Sequence, residues 1–341
     1  MYKVLDHFKN TKKSATIVGP PGVGKTFVLI KIKECLEEMG EMVKCIAPTH
    51  CAARLIDGVT CHHFVQKYAV NGNDKGWILL DEISMLPLPL IACLDSLRLG
   101  GCKIVTLGDF LQLPPHPESN SWRGEPISPF AFQKSRLYKH WSDSTQFELT
   151  RCRRSDQEHF EFYTTLPQDV NKAVQKCLKR HAIPKDLQPQ ENDLHICISH
   201  KRRKTISAFL QDKAAMGKPC IEIPDGIDPS YQCFVGTKLV GNCTNGRIIN
   251  GARYTVMDIN KEQAQLKDEI TGNIFWVSLE IISQRCLLAH AMTYPKVQGC
   301  TEKDKRVFLH DLNSKNLKRN HLYVGLSRVT DGTSAFVCYE E

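Results

Sequence analysis

Short apolar runs alternate with amphipathic stretches over the first third of the chain. Ala15-Thr-Ile-Val is an apolar run that enters a glycine-rich turn, and Phe27-Val-Leu-Ile-Lys-Ile-Lys-Glu-Cys-Leu spaces its apolar positions as a helix does. The prediction is strand, loop, helix. Trp77-Ile-Leu-Leu is a second apolar strand, ending in Asp81-Glu82. Lys103-Ile-Val-Thr-Leu is a third, running into Gly108-Asp109-Phe-Leu-Gln112-Leu-Pro-Pro115. Farther on, Leu194-His-Ile-Cys-Ile-Ser is apolar and is followed by the basic run Lys201-Arg202-Arg203-Lys204. Val235–Val240, Ile249–Val256 and Phe275-Trp-Val read as short strands separated by turn residues.

The 341 residues exceed what one hydrophobic core usually supports, so two domains, or one with insertions, are expected. At 42% hydrophobic and 24% charged residues the composition excludes a mainly disordered chain, a collagen-like repeat and a coiled-coil rod. The most apolar run, Ile78 to Leu94, is broken by Asp81, Glu82, Pro87 and Pro89, well short of a membrane span. The first residues lack the apolar core of a secretory signal, so a soluble, intracellular protein with no membrane partner is expected.

Fifteen cysteines are an odd number, scattered and without a Cys-x-x-Cys pair, which points to reduced and mostly buried thiols. Cys51, Cys61, His62 and His63 are the nearest approach to a metal cluster, but they lack paired ligand spacing. Net charge is +8, with 17 basic against 15 acidic residues over 1–150 and 28 against 22 over 151–341. That excess fits either a solvated surface or a polyanion partner on the C-terminal half.

The turn Gly19, Pro20, Pro21, Gly22, Val23, Gly24, Lys25, Thr26 matches G-x-x-x-x-G-K-[ST] between a strand and a helix, the context that a phosphate-binding loop requires. Glycines let backbone N–H groups turn toward phosphate oxygens, and the helix start adds its positive end. Lys25 is expected at the β- and γ-phosphates, and the Thr26 hydroxyl on Mg²⁺. Such a loop needs a carboxylate on a neighbouring strand. Asp81 is expected to hold the metal, and Glu82 to orient or deprotonate the attacking water. Gln112, just past a strand end, is placed to sense the γ-phosphate. Kinases of small metabolites share the loop, so the loop alone leaves the reaction open.

Read together, the motifs resemble those of superfamily 1 helicases, specifically the RecD-like and PIF-type group of superfamily 1B. Gly-Pro-Pro-Gly-Val-Gly-Lys-Thr (19–26) stands as motif I, and Ala47-Pro-Thr-His-Cys-Ala-Ala-Arg-Leu with Gly58-Val-Thr-Cys-His-His-Phe64 resembles motif Ia and the segment after it. Asp81-Glu-Ile-Ser-Met resembles motif II and Gly108-Asp-Phe-Leu-Gln-Leu-Pro-Pro motif III. Leu149-Thr-Arg-Cys-Arg-Arg154-Ser-Asp is similar to motif IV, Ala291-Met-Thr-Tyr-Pro-Lys-Val-Gln-Gly-Cys-Thr301 to motif V, and Leu322-Tyr-Val-Gly-Leu-Ser-Arg328-Val to motif VI.

The resemblance implies an α/β fold of two RecA-like domains with parallel sheets and ATP bound between them. The first would span 1–140, with a short insertion at about 64–77, and the second 141–341, with a small SH3-like β insertion at about 235–285. A meander within the core sheet is the alternative for that insertion. Arg154 and Arg328 would come from the opposite domain to stabilise phosphoryl charge. Thr49, Thr60, His62 and Phe64 on the first domain, and Thr293 and Lys296 on the second, would contact nucleic acid. The activity implied is ATP-dependent translocation on single-stranded DNA and unwinding of forked duplexes, with 5′→3′ polarity.

Some positions depart from the family pattern. Motif V of the family has His where this chain has Pro295, which lacks a backbone donor, and Ser where it has Val297. No glutamine upstream of Gly19 marks an adenine-reading motif. The short stretch between Phe64 and Trp77 leaves little room for a strand-separating wedge, which favours translocation over processive unwinding. An RNA helicase and a nucleotide-switched binding module are the competing readings. Glu82, Gln112, Arg154 and Arg328 are all present, which argues against a degenerate switch.

Overall fold

The computed structural model describes residues 2–69, 75–116, 119–122, 125–128, 131–188, 190, 192–244, 246–300, 302 and 305–338. The chain divides into two compact units, Met1–Phe160 and Glu161–Glu341. In the first unit, β1 (Ala15–Val18), β2 (Val43–Ala47), β3 (Val59–Thr60), β4 (Trp77–Leu80) and β5 (Lys103–Gly108) join one sheet. The two-residue strands β6 (Ser121–Trp122) and β7 (Glu125–Pro126) form a separate ribbon, and β8 (Gln146–Glu148) returns to the main sheet. The order is β3-β2-β4-β5-β1-β8, and all pairs are parallel.

Helices α1 (Tyr2–Thr11), α2 (Lys25–Glu38), α3 (His50–Leu55), α4 (Cys61–Phe64), α5 (Leu88–Leu99) and α6 (Arg136–Trp141) belong to this unit. Val4, Phe8, Leu29 and Ile32 pack with Ile17, Leu79, Val105 and Leu107 in one core; Phe64, Ile91, Leu94 and Trp141 pack with Ile78, Leu80 and Ile104 in another. Parallel strands covered on both faces need unbroken apolar sequence, which is why Trp77-Ile-Leu-Leu shows no alternation.

Segment 141–160, expected with the second domain, lies in the first unit. Strand β8 runs beside β1, the Leu149 N–H donates to Val18 O at 2.8 Å, and the Arg153 N–H donates to Gly22 O at 2.8 Å. A three-residue strand with polar ends carries no periodicity to read. Of the expected insertion at about 64–77, residues 70–74 lie outside the described residues.

Helix α7 (Gln157–Thr164) carries the division between the units, and α8 (Val170–His181) follows. Strand β9 (Leu194–Cys197) leads to α9 (His200–Ala215) and the hairpin β10 (Ile221–Ile223) and β11 (Tyr231–Cys233). Next come β12 (Lys238–Gly241), β13 (Arg253–Ile259), β14 (Gln263–Asp268), β15 (Ile274–Ser278), α10 (Leu279–Arg285) and β16 (Cys286–Leu288). The unit ends with β17 (Ala291–Thr293), α11 (Tyr294–Val297), β18 (Val307–Leu309), α12 (Arg319–Leu326) and β19 (Ala335–Val337).

Strands β17-β9-β18-β19 form a parallel sheet. Strands β15-β14-β13-β12-β16 form an antiparallel sheet of their own, with a core built on Leu239, Tyr254, Val256, Leu266 and Ile282. The small β insertion is thus a module separate from the parallel sheet, not a meander within it. Strand β14, Gln-Ala-Gln-Leu-Lys-Asp, escapes sequence reading because only Ala264 and Leu266 are apolar; they alternate inward, and the buried Asp268 follows them.

The basic run on α9 is only partly surface. Arg203 is 1% exposed and forms a two-pronged ion pair with Asp228 in the β10–β11 connection. Asp228 also accepts the Leu288 N–H at 2.9 Å. Two turns on, Gln211 donates to Gln232 O at 2.6 Å and bonds His290 Nε2 at 2.9 Å. The inward face of α9 is therefore polar and holds the module through charge and hydrogen bonds. No disulfide forms among the described cysteines, of which eight are buried and seven partly buried. Among the described residues no helix is long and apolar enough to cross a membrane. Removing one member of a buried ion pair strands the other, so Arg203→Ala is expected to cost about 3–5 kcal/mol in denaturant unfolding. A loss under about 1 kcal/mol would show that the pair does not hold the module.

Candidate active site

The loop between β1 and α2 turns through left-handed backbone at Gly22 (φ 86°) and Gly24 (φ 89°), which a side chain rarely adopts. Gly19 has a different constraint: a Cβ there would lie 2.3 Å from Leu149 O, because the chain after β8 passes directly against the loop. Lys25 is 8% exposed, and its ammonium donates to Gly19 O at 2.7 Å and Pro20 O at 2.9 Å. Pro20, Pro21 and Val23 complete the loop between these glycines. The Thr26 hydroxyl donates to Asp81 Oδ2 at 2.9 Å.

Asp81 follows β4, which does not adjoin β1; strand β5 lies between them. The expected neighbouring strand is thus one place removed, and the reach of the Asp81 side chain closes the gap to Thr26. Asp81 is 3% exposed, and its other oxygen accepts the Glu82 N–H at 2.9 Å. Burial, then the Glu82 charge, pushes the Asp81 carboxyl up to about 6. Burial also lowers the Lys25 pKa, against the opposing pull of Asp109, Glu82 and Asp81. Glu82 has a left-handed backbone (φ 54°), and its Oε2 is buried without a hydrogen-bond partner. A strained residue with an unsatisfied carboxylate oxygen is poised for a water or a cation.

Asp109 was not singled out from sequence, yet it is the foremost carboxylate acting on Lys25. It ends an apolar strand as Asp81 does, so the same strand-end signal marks it. Its Oδ1 accepts the Leu111 N–H at 3.0 Å, and its carbonyl accepts the Gln112 N–H at 3.1 Å, which tucks Gln112 in at 2% exposure. Gly108 permits this close approach, since a Cβ there would meet Ile83 Cγ2 at 2.7 Å.

Arg154 lies in the first unit, not across from it, and its charge reaches Lys25. A cavity of about 660 Å³ opens beside the loop, lined by Val23, Gly24, Phe27, Glu148, Arg151 and Arg153. Phe27, on the first turn of α2, is 54% exposed. Arg328 is 1% exposed in the second unit, and its donors are spent on Val324 O, Cys300 O and Ser327 Oγ at 2.7–2.9 Å.

The nucleic-acid candidates divide. Thr49 and Thr60 cap α3 and α4, their hydroxyls accepting the Ala52 and His63 N–H groups at 3.2 and 3.3 Å. His62 is exposed beside the second cap. Phe64 is 1% exposed inside the core, so its ring offers no face for a base; one phenylalanine after an apolar strand gives no sign of which way it points. Thr293 is 9% exposed at the end of β17. Lys296 donates to Asn242 Oδ1 at 2.7 Å, and burial, then the Arg203 charge, lowers its pKa to about 8.

The Asp81 shift has a consequence for stability. The folded chain holds this proton from its ordinary value of 3.8 up to about 6, so ionisation opposes folding and stability falls as pH rises through that window. In EDTA, Asp81→Asn is expected to raise stability at pH 7.5 on the order of 1–3 kcal/mol and to leave it unchanged below about pH 4. A lower melting temperature for Asp81→Asn at pH 7.5 contradicts this account.

Residues 7–118 match the family described as AAA domain. The human ATP-dependent DNA helicase PIF1 is 31% identical over 173 residues, which are 42% of this chain and 26% of that protein. The ATP-dependent DNA helicase dda of Enterobacteria phage T4 is 30% identical over 175 residues, which are 45% and 37% of the two chains. These matches thus span well under half of either relative. The solved structure of Pif1 helicase from Bacteroides in complex with ADP-AlF3 and ssDNA superposes with a TM-score of 0.72 at 19% identity, over 99% of this chain and 91% of that one. At that identity the likeness establishes the fold: two RecA-like domains with a small antiparallel insertion. The chain thus resembles ATP-dependent DNA helicases of the PIF type over part of its length and shares the fold of the Pif1 structures.

Proposed function

We propose that the chain is an ATP-hydrolysing motor that translocates along single-stranded DNA and opens forked duplexes, with 5′→3′ polarity. The observation that carries this reading is the cluster of Lys25, Thr26, Asp81 and Glu82 at one end of the first sheet. A buried lysine, a hydroxyl held on a carboxylate, and a second carboxylate with an unpartnered oxygen are what hydrolysis of a phosphoanhydride requires. The names of the relatives support the choice of substrate, since human PIF1 and T4 dda are ATP-dependent DNA helicases.

The Thr26 hydroxyl and Asp81 carboxylate are hard oxygen donors of the kind Mg²⁺ takes, with water and phosphate oxygens filling its remaining positions. Bound there, Mg²⁺ would neutralise charge on the β- and γ-phosphates. Lys25 exchanges its two carbonyl partners for phosphate oxygens. Glu82 accepts the proton of the attacking water, and Gln112, held by Asp109, reports on the γ-phosphate. Arg154 stabilises the charge that shifts toward the leaving oxygen, an effect worth ~10³–10⁵ in rate in related chemistry. Arg328 contributes once it leaves its carbonyl partners. ATP binding closes the two RecA-like domains and hydrolysis opens them, which moves the strand stepwise. The base occupies the cavity beside Phe27 and Arg153, where stacking dominates and selection among nucleoside triphosphates is weak.

The test is hydrolysis with and without poly-dT or poly-U, followed by displacement from 5′- and 3′-tailed duplexes. Strong stimulation by poly-dT and displacement of the 5′-tailed substrate are expected. Lys25→Ala and Glu82→Gln are expected to lower turnover at least about a hundredfold while sparing DNA binding. Preference for poly-U would favour the RNA helicase reading. A rate indifferent to either polymer would leave only a nucleotide-switched module.

A further inference from the structure

Arg328 is held by a cradle of backbone carbonyls. Its Nε donates to Val324 O at 2.9 Å, Nη1 to Cys300 O at 2.7 Å and Val297 O at 3.3 Å, and Nη2 to Ser327 Oγ at 2.8 Å. Two of these acceptors, Val297 and Cys300, lie at the end of α11 and just beyond it. That stretch runs on to Glu302, which is 1% exposed. The Glu302 N–H donates to Arg328 O at 2.9 Å, and Glu302 forms a parallel bridge with Val329.

The Glu302 carboxylate binds the antiparallel module. Arg253 of β13 grips it with two parallel bonds, Nη1 to Oε2 at 2.7 Å and Nη2 to Oε1, and Lys305 adds a contact at 3.4 Å. Burial pushes the Glu302 carboxyl up, but the hydrogen bond and charge of Arg253 outweigh it and leave it below the usual carboxylate range. A paired fork of this kind is directional and among the stronger polar contacts a protein makes. It runs from a strand of the module to the backbone that holds Arg328. An ordinary stabilising pair would serve as well anywhere on the module; this one ends on the residue bonded to Arg328 itself.

We propose that Arg253 and Glu302 are positioning residues for hydrolysis: their ion pair fixes the carbonyl cradle, so that Arg328 is withheld from the phosphates until that segment shifts. The proposal rests on the role given above to Arg328. The fork makes release conditional, because the guanidinium must give up its carbonyl partners, and these stay in place while Glu302 is held from the module. Movement of the module relative to its parallel sheet is then read out as availability of an arginine.

The experiment is steady-state ATP hydrolysis by the full chain, with and without poly-dT, in Arg253→Gln, Glu302→Gln, Arg253→Lys, Arg328→Ala and the double variant Arg253→Gln/Arg328→Ala. Arg253→Gln and Glu302→Gln are expected to raise the DNA-free kcat at least about threefold with KM for ATP unchanged, and so to compress the stimulation by poly-dT. Arg253→Lys, which keeps one charged contact, should fall between these and the parent. Adding Arg328→Ala should erase the gain. A DNA-free kcat at or below the parent value in whichever of Arg253→Gln and Glu302→Gln melts cooperatively overturns the proposal, as does a gain that survives Arg328→Ala. If Arg328→Ala alone turns over like the parent, the role of Arg328 in hydrolysis fails first, which is a separate result from an Arg253→Gln that leaves an Arg328-dependent enzyme unchanged.

Discussion

A buried ammonium cannot stand alone, and the first unit is organised around that constraint. Lys25 is almost fully withdrawn from water, and the carboxylates of Asp81, Glu82 and Asp109 gather about it from the ends of β4 and β5. Burial, and then the neighbouring Glu82 charge, pushes the Asp81 carboxyl up to about 6 against the pull of Thr26 and Lys25. The frustration is local and is held by a sheet buried on both faces. Parallel order places three strand ends side by side, and close approaches at Gly19 and Gly108 leave the chain no room to relax. Such a site trades stability for readiness: a phosphate-bound cation would satisfy the charges that the fold alone leaves in tension.

The second unit uses arginine differently. Arg203, Arg253 and Arg328 are all largely buried and all paired, the first two with carboxylates and the third with carbonyls. None belongs to a solvated basic surface, although the charge excess of the C-terminal half suggests one. Arg203 and Gln211 attach α9 to the hairpin and the module, while Arg253 attaches the module to the segment around Glu302. The module is thus joined to its parallel sheet by polar contacts at two places. Polar joints have directional geometry and discrete alternatives, which apolar packing lacks, and they suit a part that has to move and return. Lys296 sits at one of these joints, bonded to Asn242, its pKa lowered by burial and then by the Arg203 charge.

The sequence by itself determined the candidate nucleotide site. A strand, a glycine turn, Lys25 and Thr26, and an apolar strand ending in two acids are read from local pattern, because backbone conformation and strand ends depend on near neighbours. The same rule reaches Asp109. The two parallel sheets and the antiparallel insertion are what the family resemblance implies, with a meander left open for the insertion, and the fold bears them out. Tertiary structure alone decided which amphipathic side chains are buried. Phe64 turned into the core, Arg203 left the basic run for Asp228, and Arg328 folded back on carbonyls of the preceding motif. Strand β8 joined the first sheet because its backbone pairs with β1, whatever its side chains are. In each case the deciding partner lies far along the chain, and arginine, phenylalanine and short polar strands carry the same local signature whether or not that partner is there.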